Sequence, residues 1–511
     1  MDMIRDLQFS YVAYFFPMLV LLIPSQFSEF ITLSFGEHLH SDDVVIGLGI
    51  AQMTLDCLLT SYMYGFDNIF EAYAGAIVTS REPGKLGELM VKVLLQGALA
   101  FFVSLGPYLN VVHVVQFFGA GNAGSLDVAI LYIRLTCPVA LLFHVQDVLG
   151  KYLAVQGYTK TTFVAGFGHL FIHTLFTWIS VDCLGWGVGG IALATIAGYL
   201  VSISGLVIFC WFNRNSLLWS GLTSDIWEDW ADMMKLGNYS GLRVFASFSL
   251  YALSNILCQV GGTVTAGSVV VIDKINILFN TFVYTGGSAT ALIVGNKLGE
   301  ESEEGVKKAM LVGVINWILE RSFSIICLYS SGEFLARFLT SNEGIVTEVV
   351  SCYPVIVCLY LLFGLDELLA KGIMTPFGMQ NVIGIVTPIS IFGIGYTMMF
   401  YMVYRTNTAA KGIFLCFVVT HMVQCITYVM RLAFVNVSEE IVGSSDRIER
   451  SFGKYGSAKE LHNKLDLEDT DDSDELYSYC KNDEKLNPTK KASIFMALVF
   501  FAVVTIWASF F

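Results

Sequence analysis

Apolar runs of one scale recur along this chain. A helix needs about 20 mostly apolar residues to cross a hydrocarbon layer. Windows of that size fall near 12–35, 44–66, 89–112, 125–148, 161–182, 188–211, 236–260, 264–290, 309–330, 346–370, 382–404, 410–433 and 492–511. Only helices and closed barrels satisfy backbone polar groups in lipid. Barrel strands run to about half this length. The pattern therefore predicts an all-α polytopic membrane protein with thirteen spans. Pro17, Pro24 and Pro138 fall inside spans and predict kinks. The Gly286-Gly287 pair predicts a close helix approach or a bend.

The pattern also repeats. Asp147-Val148-Leu149-Gly150-Lys151 ends the fourth span, and Glu367-Leu368-Leu369-Ala370-Lys371 ends the tenth. Each places an acid one helical turn before a lysine, so each is expected to close a salt bridge. Those bridges either finish a helix end or latch a gate. The repeat predicts two pseudo-symmetric six-helix bundles, 1–212 (helices 1–6) and 213–433 (helices 7–12), with a substrate path between them. An acidic cytosolic segment at 434–490, expected to be disordered, and a C-terminal transmembrane helix at 491–511 complete the organisation.

Composition agrees: 55% of residues are hydrophobic and 14% charged, which suits lipid rather than water as the solvent. The net charge of -14 is concentrated between the twelfth and thirteenth spans, where Asp466, Glu468, Asp469, Asp471, Asp472, Asp474 and Glu475 crowd together. Basic residues favour one side of the spans: Arg81, Lys85, Lys151, Lys160, Arg214, Lys297, Lys307, Lys308 and Lys371, against Arg337, Arg405 and Lys411. The positive-inside rule then puts the N-terminus in the cytosol and, after thirteen spans, the C-terminus outside. A multi-pass protein of the plasma membrane is expected, monomeric, with the lipid bilayer and a small molecule as its partners and no nucleic acid. The first apolar run is too long for a cleavable signal peptide. The cysteines show no metal spacing. With no Walker-type loop, nucleophile elbow or metal triad, an enzyme or an ATP-driven pump is disfavoured, and no cofactor is expected.

Charges inside spans are costly and usually face a cavity or a partner. In the second span Gln52, Asp56, Thr60 and Asp67 are expected along one face, Asp56 and Asp67 lying about three turns apart. Glu29 and Gln26 give the first span a polar stripe, and Arg134 in the fourth is a candidate partner for these acids. In the second half the acids are Asp273, Asp366 and Glu367, with Arg243 and Lys274 as basic neighbours. His169 and His173, one turn apart, are expected to bond other helices rather than a metal. Adjacent Glu320 and Arg321 should likewise reach different helices.

Several motifs resemble those of the MATE (multidrug and toxin extrusion) transporters. Val294-Gly295-Asn296-Lys297-Leu298-Gly299 resembles the family's motif after the eighth span, and Gln156-Gly157 its pair after the fourth. Phe66-Asp67-Asn68-Ile69-Phe70-Glu71-Ala72-Tyr73-Ala74-Gly75 resembles the acidic stretch of the second span. His38-Leu39 is similar to the turn after the first span; Trp230-Ala231 and Lys235-Leu236-Gly237 are similar to the entry of the seventh. The resemblance covers about 430 residues, and the tail with a final helix looks like the animal branch. There are departures. The cavity glutamates of animal MATE proteins in helices seven, eight and ten fall here on Ser247, Ala252, Lys274 and Gly364, and the usual proline of the seventh span is Tyr239.

The resemblance implies a secondary antiporter that exports organic cations and xenobiotics in exchange for protons, as its two lobes rock. A carboxylate in an apolar cavity holds a proton more readily than in water, and can hold either a proton or a cation. The candidate substrate and proton groups are Glu29, Asp56, Asp67, Asp273, Asp366 and Glu367. Asp147, Lys151, Glu367 and Lys371 are the candidate gate pairs, and Arg243 and Lys274 modify the cavity charge. Alternatives are sodium coupling, a divergent member carrying neutral or anionic solutes, and a transport-inactive sensor or scaffold.

Overall fold

The computed structural model describes residues 2–37, 39, 42–79, 83–110, 123–219, 227, 230–340, 342–406 and 408–451. The acidic stretch at 466–475, the C-terminal helix at 491–511 and Arg81 lie outside the described residues. Among the described residues every element is helical. Residues 1–452 form one compact unit.

Among the described residues twelve long helical segments, numbered here as spans, run in order. The first is Asp2–Glu37; the second joins Asp42–Leu55, a wide π turn Asp56–Thr60 and Ser61–Thr79. The third is Leu86–Leu109, and the fourth joins Ala123–Thr136 to Val139–Val155. The fifth is Thr159–Trp178 with a wide turn Ile179–Cys183, and the sixth Gly187–Phe212. The seventh to ninth are Trp230–Leu257, Thr263–Gly299 and Glu303–Leu339. A short helix Glu343–Ser351 leads to the tenth, Tyr353–Glu367 with a wide turn Leu368–Met374. The eleventh is Gln380–Pro388, a wide turn Ile389–Gly395 and Tyr396–Arg405; the twelfth is Ala409–Leu432.

Among the described residues nine of these helices, and a tenth if the bent fourth span is counted, are long and apolar enough to cross a membrane. The second and seventh are not in that group. They have the length, but they carry Asp56, Asp67 and Glu71, or Arg243, toward the interior. Pro138 bends the fourth span by 47°, because proline removes a donor and crowds the preceding turn. The first helix runs unbroken through Pro17 and Pro24.

The cores largely follow the two halves, but Met233 and Leu292 of the seventh and eighth spans pack into the core of the first half. Leu7 and Tyr11 of the first span pack with Ala289, Ile293 and Val306 of the eighth and ninth. The polar residues of that face do the same: Gln8 donates to Asn316 at 2.8 Å, and Asn296 lies 3.0 Å from the Tyr14 hydroxyl. The opening third of the first span therefore rides on the second half.

The halves meet most closely where the second span crosses the seventh and eighth. A Cβ on Gly65 would stand 2.1 Å from the Gly241 backbone nitrogen, and one on Gly75 2.6 Å from the Leu292 carbonyl. These glycines let backbones touch. Since spans alternate in direction, this closed region lies at the end of the bundle that carries the N-terminus.

Residues 434–490 were expected to be disordered, and their opening part corrects this. Val437–Ser451 is a helix. It buries Ile441 against the second half, while Ser438 Oγ donates to Glu303 Oε2 at 2.7 Å. Its apolar positions recur at helical spacing, which gives it a face to bury.

Gly65→Ala should force the second and seventh spans apart and cost about 3 kcal/mol, read as a lower melting temperature in detergent. Gly106→Ala, where nothing lies within 4 Å of the added carbon, should leave the melt unchanged or slightly raised.

Candidate functional site

The candidate residues fall at three places where charge enters this bundle. The first lies in the half of the bundle away from the closed end. Lys274 of the eighth span reaches across to the first half, its Nζ 3.3 Å from Glu29 Oε2 and 3.4 Å from Gln52 Oε1. Glu29 and Lys274 side chains stay 24% and 11% exposed. Asp56 opens the wide turn of the second span and is half-buried beside them. It feels the charges of both Glu29 and Lys274 but makes no ion pair within 4 Å among the described residues. Tyr132 and Tyr199 are buried within reach of the Glu29 charge. Arg134, expected as a partner here, points to the exposed face instead.

The second place is the seam. Asp147 and Lys151 close the predicted bridge at 2.6 Å. The second predicted bridge is not made: Glu367 takes Arg243, and Lys371 crosses to the second span. There it meets Glu71 Oε2 at 3.2 Å. Lys151 holds Glu71 Oε1 at 2.7 Å, and Ser288 Oγ donates to the same oxygen at 2.9 Å. All of these side chains are buried. Lys151 and Lys371, which the sequence suggested were loop residues orienting the chain, are thus interior residues. Asp67 sits deeper in the first half, its Oδ1 2.5 Å from His144 Nδ1. It does not share a face with Asp56. The wide turn at 56–60 adds a residue to the repeat and rotates the rest of the span by about 100°.

The third place is the core of the second half. Arg243 contacts Glu367 and lies 3.7 Å from Asp366 Oδ2, which His421 Nδ1 approaches to 3.5 Å. Asp273 pairs with neither Arg243 nor Lys274. Its Oδ2 accepts from the Asn255 amide, and its Oδ1 is buried without a hydrogen bond. At Gly364, one of the departures from the family pattern, a Cβ would stand 2.8 Å from Trp317 Nε1 and 2.8 Å from Arg321 Cδ. A glutamate has no room there.

The remaining polar residues join helices. His169 and His173 Nε2 approach Ser28 and Thr32 of the first span at 3.4 and 3.3 Å. Glu320 accepts from Tyr11, whereas Arg321 turns to the Phe279 carbonyl and the Tyr360 ring.

Of the six candidate acids, Glu29 and Asp56 come together, and Asp366 and Glu367 share one arginine; Asp67 and Asp273 stand apart. Glu71, His144 and Ser288 were not singled out from the sequence. Glu71 carried a legible signal: a carboxylate within Ile69-Phe70-Glu71-Ala72 must have a buried partner. Its partners, from three other spans, were not legible.

Removing Arg243 would leave two buried carboxylates uncompensated. Arg243→Met should cost about 3–5 kcal/mol of stability, and adding Glu367→Gln should recover part of it in the same melt.

Known proteins share both sequence and architecture with this chain. The MatE family model matches residues 17–179. Human multidrug and toxin extrusion protein 1 is 21% identical over 410 residues, covering 78% of this chain and 70% of the relative. DETOXIFICATION 17 of Arabidopsis thaliana is 22% identical over 407 residues, covering 78% and 84%. The eukaryotic MATE transporter AtDTX14 superposes with a TM-score of 0.80 at 15% identity, over 86% of this chain and 99% of its own. A MOP-superfamily transporter from Pyrococcus furiosus gives 0.71 at 15% identity, over 87% and 98%; its binding pocket is described as reversed in polarity, suggesting a different function. Relatives from animals and plants match about equally, so the expected animal branch is not singled out. The likeness is distant: part of the sequence matches the MatE family model, and the fold is that of solved MATE transporters.

Proposed function

We propose that this transporter is a secondary antiporter exchanging protons for organic cations, with Glu29, Asp56 and Lys274 as its exchange site. The observation that carries this is Asp56, a partly buried carboxylate inside the bundle with no ion-pair partner among the described residues. The other candidate acids are less free. Asp67 has His144, Asp147 has Lys151, Asp366 and Glu367 have Arg243, and Asp273 is closed off by Asn255.

Charge counting explains why exchange is exclusive. Glu29, Asp56 and Lys274 sum to one negative charge. One proton or one monovalent cation neutralises the recess. Both together would leave an uncompensated positive charge in a poorly solvated space, which is costly. Lys274 acts as a tethered competitor, holding Glu29 until cargo displaces it. The Tyr132 and Tyr199 rings offer faces on which an organic cation can settle. Rocking of the two halves then turns the loaded recess from one side to the other. Sodium could take the proton's place among the same oxygens without changing this count.

A second reading rests on Lys274 itself. It replaces an acid in the eighth span and points into the recess, and Arg243 adds a second interior cation. The Pyrococcus transporter of similar fold has a pocket of reversed polarity. On this reading the cargo is neutral or anionic, and Lys274 binds it.

The full chain in liposomes, loaded with a fluorescent monovalent cation, tests both readings. Under an inward proton gradient the first predicts efflux that rises with the gradient and falls to background in Asp56→Asn, while exposed Asp182→Asn keeps the rate. A sodium gradient of equal size reveals whether sodium substitutes. Absence of gradient-driven flux across a cation panel, or full coupling in Asp56→Asn, overturns the first reading. Uptake of organic anions that Lys274→Gln abolishes would establish the second.

A further inference from the structure

We infer that Lys371 is a two-position switch for the closed end of the bundle, bound to Glu71 when that end is shut and to Glu367 when it opens. This rests on the family's transport activity. It is independent of which cargo and ion the protein carries.

The seam network shows where it would part. Glu71 belongs to the second span and is shared by Lys151 of the fourth, Ser288 of the eighth and Lys371 of the tenth. Lys151 has two carboxylates, at 2.6 and 2.7 Å, both from its own half. Lys371 has one carboxylate within 4 Å among the described residues, across the seam at 3.2 Å; it also contacts the Tyr284 carbonyl of its own half, at 3.4 Å. When the halves separate at this end, Glu71–Lys371 is therefore the pair of this network that breaks. Both ammonium groups also share one aromatic ring, Tyr64, at 5.4 and 5.8 Å from its centroid.

A buried ammonium cannot be left unpaired, since that costs several kcal/mol. The second half already holds a place for it. Asp366, Glu367 and Arg243 carry two negative charges against one positive, a surplus of one. Glu367 lies four residues before Lys371, the spacing that brings side chains together along a helix. Moving Lys371 onto Glu367 neutralises that cluster. The Lys371 stem crosses Gly287 of the eighth span, where an added Cβ would stand 3.3 Å from Lys371 Cδ and 3.5 Å from the Glu367 carbonyl. A larger residue there would fence the stem in. Lys371 also sits in the wide turn Leu368–Met374, where regular helical bonding is already interrupted. The contacts now made are close in distance, but Lys151 Nζ and Glu71 Oε2 lack a well-aligned hydrogen bond. They are charge contacts that can be exchanged without breaking a tight directional network.

Site-specific labelling tests this without a transport assay. Thr375 is buried and lines a small cleft at the seam with Ala72, Tyr73 and Ala76. In Thr375→Cys protein in liposomes, maleimide modification of that peptide, read by mass spectrometry, reports opening of this end. Glu71→Gln removes the closed-state partner and should speed labelling about tenfold; Glu367→Gln removes the open-state partner and should slow it by a similar factor. With Lys371→Met both shifts should vanish, and with Lys371→Arg both should persist. Shifts in the same direction, no shift, or opposite shifts that survive Lys371→Met would overturn the switch. If Lys371→Met does not fold, the opposed shifts of the two acid substitutions in the native background decide the matter.

Discussion

The constraint that organises this protein is that a charge moved out of water must be matched by another. Within residues 1–452 the chain buries Glu71, Asp147, Lys151, Arg243, Asp366, Glu367 and Lys371 in an apolar bundle. Each would be prohibitive alone. Some partners lie within one helix or one half, as Asp147 and Lys151 or Arg243 and Glu367 do, but others come from across the seam. Glu71 draws a lysine from each half, and Lys274 leans from the second half onto Glu29 of the first. Packing and charge neutrality alike are properties of the two halves together. A bundle built this way resists separation, and any motion that separates it must supply replacement partners.

Much of the architecture was legible in the chain. Runs of about 20 apolar residues located the spans, because lipid demands that length whatever else the protein does. The fourth and tenth spans announced their kinship through an acid and a lysine one turn apart. The pairing within that motif was only half legible. Asp147 and Lys151 meet as spacing alone suggests; Glu367 and Lys371 do not, since stronger or nearer partners arrive from other spans. Spacing reports which groups can meet along one helix and is silent about what the next helix brings. The wide turns were hidden for a related reason. No residue type marks them, yet the one at Asp56–Thr60 separates Asp56 from Asp67 and sends them to different neighbours.

The departures from the family pattern have a physical side as well. Gly364 is not simply an acid lost. Trp317 and Arg321 occupy the volume a longer side chain would need, so the second half has been repacked around a buried guanidinium. Of its remaining acids, Asp366 and Glu367 share Arg243 and Asp273 accepts from an amide. The first half, in contrast, keeps a carboxylate at Asp56 that nothing neutralises directly. A carboxylate with no ion pair among the described residues thus lies in the first half, beside Glu29 and Lys274.

The helix Val437–Ser451 touches the second span as well as the eighth and ninth, and its Ser444 lines the cleft with Ala72, Ala76 and Gln380. A rod resting on two moving bodies cannot stay seated on both as they part. The free energy of its docking therefore adds to the work of opening that mouth. Whatever loosens or tightens this rod sets how readily the mouth gapes, although it never touches the cargo.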